Sequence, residues 1–286
     1  MKIAIYQCEG KPACPEDNLK ILRRSAQEAA GQGAQLLICS EMFLSGYNIG
    51  DTVFELAETA DGSSMQKVAE IAREANIALL YGYPERFEEV VYNSALLLDH
   101  NGIPLANYRK THLYGPEEHR LFQTGDYFVI ADLEGLQVGI LICYDLEFPE
   151  AVRALALAGA ELIAVPTALM APYCGVAQWV VPTRAYENQV FVAYANRCGH
   201  EADLHYCGLS CIVGPDGKDH ARAGTAEGLL VAEINVAEMI ASRRKNPYLS
   251  DLRSELYHKT VRKRTSGSHA PSLNDRKPVS KNNMSV

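Results

Sequence analysis

Leu136-Gln-Val-Gly-Ile-Leu-Ile-Cys143 is followed at once by Tyr144-Asp-Leu-Glu-Phe-Pro-Glu150. The first half is an apolar run of strand length. The second half is a turn leading into residues 150–157, whose spacing predicts a helix closed by Gly159. A buried strand that hands over to a turn and a helix is the unit from which α/β sheets are built. Such an elbow projects one side chain from a rigid sheet and aims nearby main-chain N–H groups at the same space, which is good geometry for a nucleophile. Cys143 stands there, the only one of eight cysteines so placed.

Outward from the elbow the same alternation continues. Residues 2–7, 35–39, 77–83, 161–165, 190–196, 207–213 and 228–235 read as strands, and 16–32, 63–75 and 177–189 as helices. A polar turn is expected over 84–89. Residues 90–99 and 104–110 form a hairpin around His100-Asn-Gly102. The chain is therefore α/β, with hairpins among the β-α units and no internal repeat.

Composition excludes several classes. The net charge of -8 leaves the chain without a nucleic-acid footprint. Residues 259–286 carry seven Lys or Arg and one Asp, with few large apolar residues. They read as a basic, flexible tail beyond a domain spanning 1–258. No apolar run approaches the roughly 18 residues of a membrane span. The start, Met1-Lys-Ile-Ala-Ile-Tyr-Gln7, lacks the pattern of a signal peptide, so cytoplasm is the expected location and the cysteines are expected to be buried thiols. No CxxC pair or His/Cys cluster suggests a metal site.

Two other strand ends carry what a cysteine nucleophile needs. Glu41 follows Leu36-Leu-Ile-Cys-Ser40, where desolvation would raise its pKa and suit it to moving protons. Lys110 follows Leu105-Ala-Asn-Tyr-Arg109 and could stabilise an oxyanion or a thiolate. Each has an ordinary reading too: an exposed cap, a solvated ammonium, a cysteine packed in the core. Spacing and periodicity leave both readings open.

The segments around these residues, Ser40-Glu-Met-Phe-Leu-Ser-Gly-Tyr47, Tyr108-Arg-Lys-Thr-His-Leu-Tyr-Gly115 and Gly139-Ile-Leu-Ile-Cys-Tyr-Asp-Leu-Glu-Phe-Pro-Glu150, resemble in order the three signatures of the nitrilase, or carbon–nitrogen hydrolase, superfamily. The resemblance runs from Met1 to about Tyr257. It implies an αββα sandwich and a Glu–Lys–Cys triad: Glu41 as general base, Lys110 as oxyanion stabiliser, Cys143 as nucleophile. It further implies that Glu118 positions substrate or Lys110, with Glu117 as the fallback, and that the Tyr144 N–H completes the oxyanion hole. The implied reaction cleaves an amide through a thioester and requires no metal or organic cofactor. Homodimers or larger homo-oligomers are implied as well. Glu147 stands where many relatives have Arg, and Thr124 where many have Pro. Arg184-Ala-Tyr-Glu-Asn188 resembles a structural ion-pair element of the family.

Within the amidase branch, Glu41-Met-Phe-Leu-Ser-Gly-Tyr-Asn-Ile-Gly50, Tyr81-Gly-Tyr-Pro-Glu-Arg86, Asn107-Tyr-Arg-Lys-Thr-His-Leu113, Tyr206-Cys-Gly208 and Pro247-Tyr-Leu-Ser-Asp-Leu-Arg253 resemble amidases that take ω-amino amides such as 5-aminopentanamide. The ammonium of such a substrate needs an acidic or aromatic partner. Glu147, Glu201, Asp203 and Tyr173 are candidates, although Glu147 could equally pair with Arg153. Tyr47 and Ala168 are further pocket candidates, and the 168–177 loop, with Trp179 near it, is expected to line the pocket. The alternatives are an N-carbamoyl amine hydrolase, a nitrilase, or a silent binding protein on the same scaffold. Tyr144, where true nitrilases often have Trp, favours amides.

Overall fold

A computed structural model describes residues 1–257; the basic tail expected over 259–286 lies outside them. The strands in chain order are β1 (Lys2–Gln7), β2 (Leu36–Ile38), β3 (Ala78–Phe87), β4 (Val90–Leu98), β5 (Pro104–Arg109), β6 (Val129–Leu133), β7 (Leu136–Ile140), β8 (Leu162–Pro166), β9 (Phe191–Ala195), β10 (His200–Glu201), β11 (Leu204–His205), β12 (Cys211–Val213), β13 (Asp219–Arg222) and β14 (Gly228–Glu233). The helices are α1 (Pro15–Gly31), α2 (Thr52–Leu56), α3 (Ser63–Ala75), α4 (Gly115–Leu121), α5 (Pro149–Leu157), α6 (Val181–Asn188), α7 (Val236–Lys245) and α8 (Ser254–Tyr257). Met1–Ser250 form one compact unit; the described residues from Asp251 on, which hold α8, fall in a second.

Two six-stranded sheets lie in the first unit, in the orders β14-β1-β2-β3-β4-β5 and β13-β12-β9-β8-β7-β6. At the heart of each are three parallel strands, β1-β2-β3 and β7-β8-β9, and antiparallel strands finish the edges. Period-two alternation decides which side chains meet. Ile3, Ile5, Leu36, Ile38, Leu80 and Leu97 face the second sheet's Val138, Ile140, Leu162 and Ala164 in one core. Ala4, Tyr6, Leu37, Leu79 and Tyr81 face the other way, against Leu19, Leu22 and Ala26 of α1 and Val68 and Ile71 of α3. On the second sheet, bare Gly139 leaves room for Leu155 of α5. The architecture is the expected αββα sandwich.

Two expectations need correction. The turn expected over 84–89 is strand: β3 runs on to Phe87, and only Glu88 and Glu89 turn. Pro84 is tolerated because its carbonyl points to Glu58, away from β4. In an antiparallel ladder a residue's N–H and C=O share a side, so no β3–β4 bond is lost. The helix expected over 177–189 is present, its first turn, Val176–Val180, wound as a π-helix that runs directly into α6. The cysteines are not all thiols: Cys174 and Cys207 are disulfide-bonded, their Cα atoms 5.6 Å apart, within the usual span. Pairing of the 168–177 loop with the 206–207 segment brings them together, through the Met170–Tyr206 bridge and the Cys207 N–H to the Leu169 carbonyl.

Gly82 fixes how closely β3 approaches the Ser40-Glu41-Met42 segment. A Cβ at this position would lie 2.4 Å from the Met42 nitrogen and 2.8 Å from the Ser40 oxygen, both backbone atoms that cannot swing aside. Gly82→Ala is therefore expected to cost at least about 1–3 kcal/mol of stability. Calorimetric unfolding of the two proteins checks this, and an unchanged Tm would contradict it.

Candidate active site

The central parallel strands of both sheets end at one place, where ligands of α/β sheets collect. Beyond β2 the Cys39 N–H still bonds the Leu80 carbonyl, and the chain then turns sharply, with Met42 at φ +50°. Glu41 sits on that turn, buried, its N–H donated across to the Thr167 carbonyl of the other sheet. Fully buried Arg197 holds the turn from behind, donating to the carbonyls of Glu41, Met42 and Glu9. Lys110 lies one residue past β5, where its N–H bonds the Asn93 carbonyl and its own carbonyl accepts from Gly125.

The Lys110 Nζ bridges two carboxylates, 2.7 Å from Glu41 Oε1 and 2.7 Å from Glu118 Oε1. Glu118 is carried by α4. Its Oε1 also accepts from the Tyr47 hydroxyl at 2.6 Å, and its Oε2 from the Tyr114 N–H at 2.7 Å. Glu41 Oε1 takes a second hydrogen bond from Asn93 Nδ2 at 2.7 Å. Glu41 Oε2 is buried and has no hydrogen-bond partner among the described residues.

These groups set one another's charge. Burial pushes the Glu41 carboxyl above the usual range and the nearby Glu118 adds to this, while Lys110 pulls back. Burial alone would lower the Lys110 ammonium, but Glu118 and Glu41 outweigh it and hold it well above its ordinary value. The ammonium is a fixed charge; the Glu41 carboxyl is poised to take a proton.

Cys143 follows β7 at φ +47°, a strained conformation for a residue with a side chain, and opens a single 3-10 turn to Glu147. Burial first, then Glu41, raises its thiol well above the ordinary value; Lys110 and a hydrogen bond from the Ala168 backbone oppose this without reversing it. The same environment favours the protonated sulfur. It lies on the wall of a cavity of about 250 Å³ lined also by Tyr47, Tyr114, Tyr144, Glu147, Ala168, Met170 and Tyr173. Glu147 is half-buried, and its carboxylate accepts no hydrogen bond among the described residues. Burial raises its pKa, with Lys110 and then Arg184 opposing. The Tyr114 ring sits edge-on to those of Tyr144 and Tyr173, with centroids 5.3 and 6.2 Å apart.

Glu41, Lys110, Glu118, Cys143, Tyr144, Tyr47, Glu147, Ala168 and Tyr173 are thus brought together, while other candidates are not. Glu201 is buried and saturated by the N–H groups of Tyr47 and Asn48 and the Tyr206 hydroxyl, so it shapes the Tyr47 loop and is closed to a ligand. Asp203 accepts from Asn48 and lines a neighbouring cavity. Glu117 is exposed and pairs with Arg120. Trp179 is 72% exposed and stands outside the pocket. Arg153 makes no pair with Glu147, and Arg184 holds the Leu146 and Glu147 carbonyls and Glu187. Sequence reasoning missed Asn93 and Arg197. A polar residue inside the apolar 90–98 run was the one available signal for Asn93; nothing local marks Arg197.

The carbon–nitrogen hydrolase family matches residues 2–244. A Pseudomonas protegens protein called "Hydrolase in pqqF 5'region" is 52% identical over 260 residues, covering 90% of each chain. An (R)-stereoselective amidase of Pseudomonas sp. is 37% identical, covering 88% of this chain and 92% of its own. Among solved structures, an amidase from Nesterenkonia sp. superposes with a TM-score of 0.82 at 37% identity, over 90% of this chain and 95% of that one. A glutamate-to-glutamine mutant of that amidase carries the acetamide moiety of fluoroacetamide covalently on its active-site cysteine. The chain belongs to the carbon–nitrogen hydrolase family, the nitrilase superfamily, and is a hydrolase of carbon–nitrogen bonds other than peptide bonds.

Proposed function

We propose that the protein hydrolyses small aliphatic amides to carboxylate and ammonia, with Cys143 as nucleophile. The observation that carries this reading is the unpartnered Oε2 of Glu41. Its other oxygen is saturated by Lys110 and Asn93, so one buried acceptor is left to take a proton where the nearby sulfur is held as a thiol. As Cys143 Sγ bonds to the amide carbon, its proton passes to Glu41. The oxyanion is met by the Lys110 ammonium and by the N–H of Tyr144, the second residue of the 3-10 turn, where N–H groups have no partner within the turn. The C–N bond breaks, Glu41 returns the proton to the nitrogen, and ammonia leaves a thioester. Water then attacks that thioester and gives its proton to Glu41. The C–S bond breaks and the thiol takes the proton back. Glu118 acts through Lys110, fixing the ammonium from the side opposite Glu41.

A finer reading concerns the far end of the substrate. The carboxylate of Glu147, without a hydrogen-bond partner among the described residues and in one cavity with Tyr114, Tyr144 and Tyr173, suits an ammonium at the end of a short chain. A cavity of about 250 Å³ fits a small molecule of that kind. We read the substrate class as ω-amino amides, 5-aminopentanamide among them.

Three outcomes are expected. Cys143→Ala lowers ammonia release from short amides on the order of 10³-fold or more; a variant with full activity would sink the assignment. Because Glu41 must be ionised and its pKa is raised, kcat/KM for an uncharged amide falls with decreasing pH through a value above the ordinary carboxylate range near about 4.3. Lys110, held well above its ordinary value, contributes no titration below it. A pH profile with its acid limb at or below the usual carboxylate value argues against Glu41 as base. Glu147→Gln raises KM for 5-aminopentanamide about tenfold or more and leaves KM for pentanamide nearly unchanged; equal changes for both would remove the ammonium reading.

A further inference from the structure

Asp145 is buried completely, two residues after Cys143, and its carboxylate gathers hydrogen bonds from two segments. Oδ2 accepts from the Ile142 N–H at 3.0 Å and the Tyr108 hydroxyl at 2.8 Å. Oδ1 accepts from the His112 N–H at 2.8 Å and the Thr111 hydroxyl at 2.9 Å, and lies 2.8 Å from His112 Nδ1. Ile142 immediately precedes Cys143 on the second sheet. Tyr108, Thr111 and His112 bracket Lys110 on the first. The His112 ring is itself stacked on Phe148, at the far end of the elbow, 4.0 Å between centroids.

We infer that Asp145 is a positioning residue that sets the distance and orientation of Cys143 relative to Lys110. This rests on reading those two residues as the reacting pair. The argument is one of linkage. The strained Cys143 backbone and the end of β5 belong to different sheets, and Asp145 joins them within two residues of the nucleophile through both of its oxygens. A carboxylate is the one side chain of this size that accepts at both ends. An amide in its place would turn an NH2 toward either the Ile142 N–H or the His112 N–H. The hydroxyls of Tyr108 and Thr111 can rotate to accept, but a main-chain N–H cannot. One side of the linkage must therefore let go, although the shape is unchanged. Burying a donor against a donor also leaves polar groups unsatisfied.

The test is Asp145→Asn in the full chain, assayed with an uncharged amide beside Cys143→Ala. Turnover is expressed per active site, counted as the Cys143 that iodoacetamide alkylates. The expected result is a kcat per site lower by about 10²-fold, as for a displacement of an ångström at a reacting group, with KM changed by less than about threefold. A merely structural role would lower Tm and the number of sites while leaving kcat per site at the wild-type value, and that result overturns the inference. Turnover by Cys143→Ala would instead overturn the underlying reading of the site. If Asp145→Asn does not fold, Tyr108→Phe/Thr111→Val removes one hydroxyl donor from each oxygen and keeps the main-chain donors. Reduced kcat per site at retained KM then supports the linkage, and wild-type kcat refutes it.

Discussion

The structure depends on one buried ammonium held between two buried carboxylates. Removing Glu41, Lys110 and Glu118 from water costs several kcal/mol per ion, and only close, well-formed contacts offset it. Lys110 makes two such contacts, at 2.7 Å each. Neighbouring polar groups serve that arrangement: Asn93 completes one oxygen of Glu41, Tyr47 and the Tyr114 N–H complete Glu118, and Arg197 pins the turn that carries Glu41. The sandwich exists, in this view, to bring the ends of two parallel strand sets close enough for such a cluster to form away from solvent.

Among the described residues, the two carboxylates are satisfied at every oxygen but Glu41 Oε2, and that asymmetry is what makes the cluster chemically useful. A fully satisfied ion network would be inert scaffolding. An unpaired acceptor on Glu41, a carboxyl with a raised pKa and a neighbouring thiol with a raised pKa together describe a site that moves a proton only when a substrate arrives. This differs from a cysteine site that rests as a thiolate. On the proposed reading, Cys143 stays protonated until it attacks, because burial and Glu41 raise its thiol.

Much of this was legible in the sequence, and the rest was hidden for physical reasons. Residues 36–38 and 136–140 announce themselves as apolar runs, and Glu41, Lys110 and Cys143 stand out because each interrupts or ends one. The supporting residues are invisible by the same logic. Arg197 becomes meaningful only when the fold brings it beneath Glu41, some 156 positions away. Asp145 reads as an ordinary turn residue until its donors arrive from the 108–112 segment. The strand through Pro84 could not be foreseen, because whether a missing N–H matters depends on which way that residue faces. The helix bearing Glu118 was missed although Pro116 at its first turn is a recognised start signal. The Cys174–Cys207 pair follows from loop pairing that composition does not encode.

The central claim is an acyl group carried on the enzyme between two chemical steps. It is tested most directly by letting hydroxylamine compete with water for that group, starting once from pentanamide and once from the methyl ester of the same acid. If both substrates pass through the thioester at Cys143, the ratio of hydroxamate to acid is identical for the two. Ratios that differ with the leaving group would mean that the intermediate is not shared, and would contradict the account.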